Sequence, residues 1–233
     1  MAKEKTVYVC NNCGQESPKW IGKCPSCGEW NTYVEQVIRK ESGPQRVATG
    51  MDPVKSKPIA LDAIETKDDP RIDMHDDELN RVLGGGLVPG SLVLIGGEPG
   101  IGKSTLVLQT VMKMSEKRVL YVSGEESANQ LKLRANRLVG GTSSCLILCE
   151  TSLEEIYTHI KNTKPEIVII DSIQTISTEI VDSSPGSLSQ VRECAVSILK
   201  FAKETHTAVI LIGHINKEGT IAGPKVLEHI VDT

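Results

Sequence analysis

Aromatic side chains are scarce: the 233 residues hold one Phe, four Tyr and two Trp. Proteins that grip single-stranded nucleic acid use rows of aromatic faces, so extensive base stacking on this segment is disfavoured. No apolar run approaches the ~20 residues needed to span a bilayer, and no membrane partner is expected. The start, Met1-Ala2-Lys3-Glu4-Lys5, lacks the apolar core of a signal peptide, so a cytoplasmic location is expected. An excess of positive charge is missing too, the formal net charge being −4. Any nucleic-acid binding must then come from local basic patches, or from a ring that concentrates them. What remains is a globular composition, 39% hydrophobic and 24% charged, at a length suited to one or two domains.

The most informative stretch is Gly96-Gly97-Glu98-Pro99-Gly100-Ile101-Gly102-Lys103-Ser104-Thr105. It follows the apolar run Leu92-Val93-Leu94-Ile95 and opens a helical pattern at Leu106-Val107-Leu108-Gln109. From Gly97 it reads G-x-x-x-x-G-K-S, a phosphate-binding loop in the strand–loop–helix order that the motif requires. Its glycines let several N–H groups point into one concavity, and the helix adds its positive end beneath them. Lys103 supplies a cation for the β- and γ-phosphates, and the Ser104 hydroxyl can complete the coordination of Mg²⁺. ATP is the expected ligand.

Four of the seven cysteines fall within the first 27 residues, as Cys10-Asn-Asn-Cys13-Gly14 and Cys24-Pro-Ser-Cys27-Gly28. Two C-x-x-C pairs ten residues apart predict a closed, tetrahedral zinc site with no open position for catalysis. A segment this short buries too little surface to fold unaided, so the metal would supply much of its stability. Trp20, Ile21, Trp30 and Tyr33 are expected to pack over the knuckles. Lys19 and Lys23 read either as phosphate contacts or as solvated surface charge. Cys145, Cys149 and Cys194 have no matching spacing and are expected to be small buried hydrophobes.

From residue 35 to about Pro70 the pattern loosens into a linker, with one short extended piece at Pro58-Ile59-Ala60-Leu61. The expected division is a zinc finger over 1–34, a linker over 35–70 and an ATPase domain over 71–233. A capped helix is predicted over 76–83, ended by Gly84-Gly85-Gly86. Beyond the loop, helices are expected over 103–116, 127–138, 153–162 and 187–204, and strands over 118–123, 145–148, 167–171 and 208–212. Strands and helices that alternate, with strands apolar throughout, predict an α/β fold with a mostly parallel sheet covered on both faces. Asp171 ends Ile167-Val168-Ile169-Ile170 as a Walker B acid would, placed to hold Mg²⁺ through water beside Ser104. Glu125 and Glu126 follow the preceding strand, at the edge where open α/β sheets bind ligands. Glu125 is the favoured base for the attacking water; the alternative is that both acids merely start the next helix. His214 follows the last strand at the same edge, as a γ-phosphate sensor or as a structural histidine.

Together these residues resemble the bacterial RadA (Sms) family of DNA-repair ATPases over nearly the whole chain. The resemblance rests on the four-cysteine module, Arg81 to Ser91, Gly97 to Thr105, Ser123-Gly124-Glu125-Glu126-Ser127, and Ile169 to Thr175. Its most specific part is Gly213-His214-Ile215-Asn216-Lys217-Glu218-Gly219-Thr220-Ile221-Ala222-Gly223-Pro224-Lys225 with Leu227-Glu228-His229. It implies a RecA-like, DNA-dependent ATPase that works as a homo-hexameric ring on single-stranded and branched DNA, with a recombinase (RecA) as partner and branch migration as the task. It also implies Glu125 as catalytic glutamate, Lys217 to Lys225 as a DNA-facing or nucleotide-sensing loop, and Pro185 to Arg192 as another.

Relatives in that family continue with a further core strand, a Lys-Asn-Arg-Phe-Gly motif and a Lon-protease-like domain. The motif is not found here, and the resemblance therefore implies an incomplete ATPase domain, weak hydrolysis and an unpaired edge on the loop-bearing strand. Two other functions fit parts of the sequence. One is a RecA-fold signalling ATPase with a protein partner, and the other is a zinc adaptor that only binds a recombinase.

Overall fold

Ile167-Val168-Ile169-Ile170 sends alternate side chains to opposite faces of a sheet, and all four are buried. A strand with no polar face must be covered from both sides, and that requirement organises the larger part of the molecule. The computed structural model describes residues 3–10, 14–40, 58, 60–63, 71–138, 144–214 and 227–233. Helix α1 is Asp77–Val82, with the Asp76 side chain accepting from the Leu79 N–H as its cap. Strand β4 (Leu92–Gly97) leads through the glycine loop to α2 (Lys103–Lys113). Then follow β5 (Val119–Ser123), α3 (Ala128–Ala135), β6 (Leu146–Cys149) and α4 (Leu153–Thr163). Strand β7 (Ile167–Asp171), a 3₁₀ turn over Ile173–Thr175, α5 (Leu188–Thr205) and β8 (Ala208–His214) complete the core.

These five strands pair in parallel in the order β4-β8-β7-β5-β6. Leu120, Val122, Val168, Ile170, Val209 and Leu211 face α4 and α5 on one side. Val119, Tyr121, Ile167, Ile169, Ile210 and Ile212 face α2 and α3 on the other. Crossovers that move one way along the sheet use one face and those that return use the other, as right-handed connections demand. All carboxyl ends then lie at one edge, which is where such sheets bind ligands.

The free side of β4 is not bare. Asp232 N–H donates to Leu92 O and Leu94 N–H to Thr233 O, both at 2.9 Å. The Asp232 carboxylate also accepts from Leu92 N–H at 2.8 Å and pairs with Lys203. The unpaired edge expected from the sequence is therefore replaced by an edge that Asp232 and Thr233 occupy.

The cysteine module is a small antiparallel sheet in the order β2-β1-β3, made of β1 (Lys3–Cys10), β2 (Glu16–Ser17) and β3 (Tyr33–Lys40). Strand β3 pairs with β1 over its full length, Cys10 opposite Tyr33 and Lys3 opposite Lys40. Residues 35–40 thus form a strand where the sequence suggested linker. Backbone pairing, which carries no apolar period, is what holds them. The short piece expected to be extended ends in a 3₁₀ turn at Leu61–Ala63 instead.

Candidate active site

The glycine loop between β4 and α2 is exposed from Glu98 through Pro99, Gly100 and Ile101 to Gly102. Gly100 and Gly102 have φ of 83° and 102°, a region that side chains strain to enter. Gly102 is the residue that caps α2, so the helix begins on the motif lysine. Lys103 is only 7% exposed and its ammonium donates to Gly97 O at 2.7 Å and Glu98 O at 2.8 Å. Burial lowers its pKa, while the nearby charges of Asp171 and Glu125 oppose the shift. Ser104 and Thr105 stand half-buried in the first turn of α2.

Parallel register brings the other sequence candidates to the same edge. Gly97 lies opposite His214, and Ser123 opposite Asp171. His214 Nδ1 is 3.3 Å from Lys103 Nζ, and its Nε2 is 3.0 Å from Glu125 Oε1. An ammonium has no acceptor, so the contact requires Nδ1 to accept and leaves the Nε2 proton for the carboxylate. Lys103, His214 and Glu125, which come from three elements, form one hydrogen-bonded line. Glu126 is turned away: it pairs with Arg134 of α3, and its N–H donates to Ser123 Oγ at 3.0 Å.

Asp171 is 6% exposed, with Tyr121 O–H donating to its Oδ2 at 2.5 Å. Burial, then the Asp171 charge and this bond, push the Tyr121 phenol far up, so it remains a donor. No hydrogen bond of Oδ1 occurs among the described residues. An alcohol from Ser104 and a carboxylate from Asp171 are the sparse oxygen set that suits Mg²⁺, which keeps most of its waters. Tyr121, Ser172, whose hydroxyl donates to Glu125, and Gln174, whose Nε2 donates to His214 O at 3.4 Å, adjoin these residues but were not singled out in the sequence. Tyr121 reads there as one more apolar strand residue. Ser172 and Gln174, polar residues just past a buried strand, were the available signal.

In the cysteine module, the sulfurs of Cys10, Cys24 and Cys27 all lie within 4.8 Å of one another. Cys10 and Cys27 are 3.7 Å apart, close to the ~3.8 Å separation of two thiolates on one tetrahedral zinc. The two knuckles are built alike. Cys10 N–H donates to Gln15 O and Cys24 N–H to Glu29 O, while Gly14 and Gly28 donate back to Cys10 O and Cys24 O. Both glycines have positive φ, 74° and 77°. Tyr33 is buried with its O–H directed at Cys24 Sγ, and Ile21 packs on the cluster. Trp20 and Trp30, expected to cover the site, are instead 53% and 67% exposed. Of the remaining cysteines Cys194 is buried, Cys145 half-buried and Cys149 exposed, so that expectation holds only for Cys194 in full.

Some candidates lie outside the described residues: Cys13 and the segment 215–225 with Lys217 and Lys225. Arg192, in the second stretch that the resemblance assigns to DNA, is exposed on α5. No helix among the described residues is long and apolar enough to cross a membrane.

A family described as an AAA domain matches residues 57–220, and one described as a rubredoxin metal binding domain matches residues 8–35. DNA repair protein RadA of Bacillus subtilis is 50% identical over 236 residues, covering 100% of this chain and 52% of the relative. RadA of Listeria monocytogenes is 49% identical, with 100% and 51% covered. The chain thus spans about half the length of these curated relatives. A solved DnaB-like replicative helicase, studied with its interactions with primase, superposes with a TM-score of 0.54 at 20% identity, over 64% of this chain and 44% of that one. At that identity the likeness speaks to the fold alone, a RecA-like P-loop core.

Proposed function

The chain belongs to the AAA domain family and matches RadA along its whole length, and on that premise we propose that it is an ATP hydrolase acting in DNA repair. The observation that carries the proposal is the line Lys103–His214–Glu125, which joins the phosphate loop to a carboxylate at the ligand-binding edge.

In this reading the loop from Gly97 to Thr105 cradles the phosphates of ATP, and Lys103 moves from its carbonyl partners onto the β- and γ-phosphates. Ser104 and, through water, Asp171 would hold Mg²⁺, and the ion would supply positive charge against the phosphates. Glu125 takes a proton from water, the oxygen of that water bonds to the γ-phosphorus, and the bond to the β–γ bridging oxygen breaks, releasing ADP. When Lys103 turns to the phosphates, His214 loses that partner and so senses that the site is loaded. Among the described residues Lys103 is the cation that contacts this line. We therefore propose slow turnover for the chain alone, because phosphoryl transfer gains much of its rate from a second cation of the arginine-finger kind. Cys10, Cys13, Cys24 and Cys27 hold a structural zinc.

We further propose that single-stranded and branched DNA is the effector, that the longer protein assembles as a hexamer, and that a RecA-type recombinase is its partner in branch migration. The RadA relatives support this reading by name only. The test is ATP turnover with and without single-stranded and forked DNA, together with recombinase capture. In the longer protein, DNA-stimulated turnover that Lys103→Ala removes is expected, whereas the 233-residue chain is expected to stay slow with DNA present. Turnover indifferent to DNA would instead favour a RecA-fold ATPase with a protein partner. Recombinase capture with no nucleotide dependence would favour a zinc adaptor.

A further inference from the structure

Ser172 follows Asp171 at the end of β7, and none of it is exposed. A buried hydroxyl needs a partner, and this one donates to Glu125 Oε1 at 2.6 Å. The same oxygen faces His214 Nε2 at 3.0 Å. Two donors therefore converge on one oxygen of the carboxylate, while no hydrogen bond of Oε2 occurs among the described residues. The Glu125 side chain is still 43% exposed, so water reaches it.

The turns that carry Ser172 and Glu125 are locked together. Gly124 N–H donates to Asp171 O at 2.9 Å, tying the end of β5 to the end of β7. Thr175 donates to Ser172 O through both its hydroxyl, at 2.7 Å, and its N–H, at 3.1 Å. A Cβ on Gly124 would stand 2.0 Å from Thr175 Oγ1, so the two turns pack with no room for a side chain between them. Ser172 thus meets Glu125 from a fixed platform, whereas a glutamate with three rotatable bonds on an exposed turn would otherwise wander.

We propose that Ser172 is a positioning residue for Glu125. With His214 it holds one carboxylate oxygen and leaves the other to take the proton of the attacking water. This rests on Glu125 being the base. Ser172 touches neither substrate nor metal in this scheme; it acts through the carboxylate alone.

The test compares Ser172→Ala, Ser172→Thr and Glu125→Gln in the full chain. Binding is followed by titration with a fluorescent ATP analogue and cleavage by single turnover of labelled Mg-ATP. Ser172→Ala is expected to keep its nucleotide affinity and cleave about 10- to 100-fold slower, as misplaced reacting groups do. Ser172→Thr, which retains the hydroxyl, is expected to recover most of the rate. Ser172→Ala added to Glu125→Gln should cost nothing more, since positioning is worthless without the base. An unchanged rate in Ser172→Ala beside a slow Glu125→Gln would overturn the role of Ser172. Normal cleavage by Glu125→Gln would overturn the assignment of the base itself. Should Ser172→Ala fail to fold, Ser172→Cys keeps the size with a weak donor and takes its place. A crystal structure of either variant gives a readout independent of turnover: Glu125 displaced supports the proposal, and Glu125 unmoved contradicts it.

Discussion

The ammonium of Lys103 lies 3.3 Å from His214 Nδ1, although 111 positions separate the two in sequence. That contact joins the phosphate loop on β4 to the end of β8, and through His214 Nε2 to Glu125 beyond β5. Lys103 here satisfies itself on Gly97 O and Glu98 O, so a nucleotide must take it from these carbonyls. Lys103→Ala is expected to weaken ATP binding at least tenfold. It should lower hydrolysis by about 10²–10³, the usual loss for one preorganised electrostatic group. Equilibrium titration and single-turnover cleavage check the two numbers separately.

Metal should decide whether the N-terminal module folds. One zinc per chain is expected by metal analysis in reducing buffer. A chelator should unfold the β1–β3 sheet while leaving the ATPase core folded, because the core cluster contains none of the N-terminal cysteines. Far-UV circular dichroism and amide exchange report the two regions. Cys24→Ser should reproduce the chelator's effect without it.

Gly124→Ala should be costly out of proportion to its one methyl group. The new Cβ would stand 2.0 Å from Thr175 Oγ1 and 2.7 Å from Thr175 Cβ, and the latter cannot rotate away. Overpacking of this kind destabilises by roughly 1–3 kcal/mol, measurable as a lower denaturant midpoint. Combined with Thr175→Gly, the loss should be smaller than the sum of the two single losses.

The β4 edge carries a pH dependence of known sign. Partial burial alone would raise the Asp232 carboxyl, but its bonds to Lys203 and Leu92 N–H outweigh that and hold it below the usual carboxylate range. A folded-state pKa that is depressed contributes stability at neutral pH, above the ordinary Asp value of ~3.9. The contribution fades as pH falls through the lower, folded value. Since the side chain is 36% exposed, solvent screening trims its worth to about 1 kcal/mol. Asp232→Asn should lower the melting temperature at pH 7, and the difference should shrink as pH falls through the folded value.

Much of this was legible in the sequence because it is local. Leu92 to Thr105 announces strand, loop and helix in order, and Ile167 to Asp171 announces a buried strand with a terminal acid. Two C-x-x-C-x-type knuckles announce their own turns, down to Gly14 and Gly28. Contacts between distant elements were not legible. Nothing near His214 says that it will stand between Lys103 and Glu125; parallel pairing of β4 with β8 decides that. Strand Tyr33–Lys40 was hidden because its partner, Lys3–Cys10, is charged and lies thirty residues away, and ladder hydrogen bonds leave no apolar signature. Trp20 and Trp30 misled for the opposite reason: large apolar side chains are expected inside, yet here Tyr33 and Ile21 already cover the sulfurs.

Glu125, at the end of the Lys103–His214 line, is proposed as the base for ATP hydrolysis. The most direct test is single-turnover cleavage of Mg-ATP by the parent chain and by Glu125→Gln, with binding measured alongside. Equal affinity, and cleavage slower by about 10² or more, are expected in Glu125→Gln. Equal cleavage by the two proteins would contradict that role.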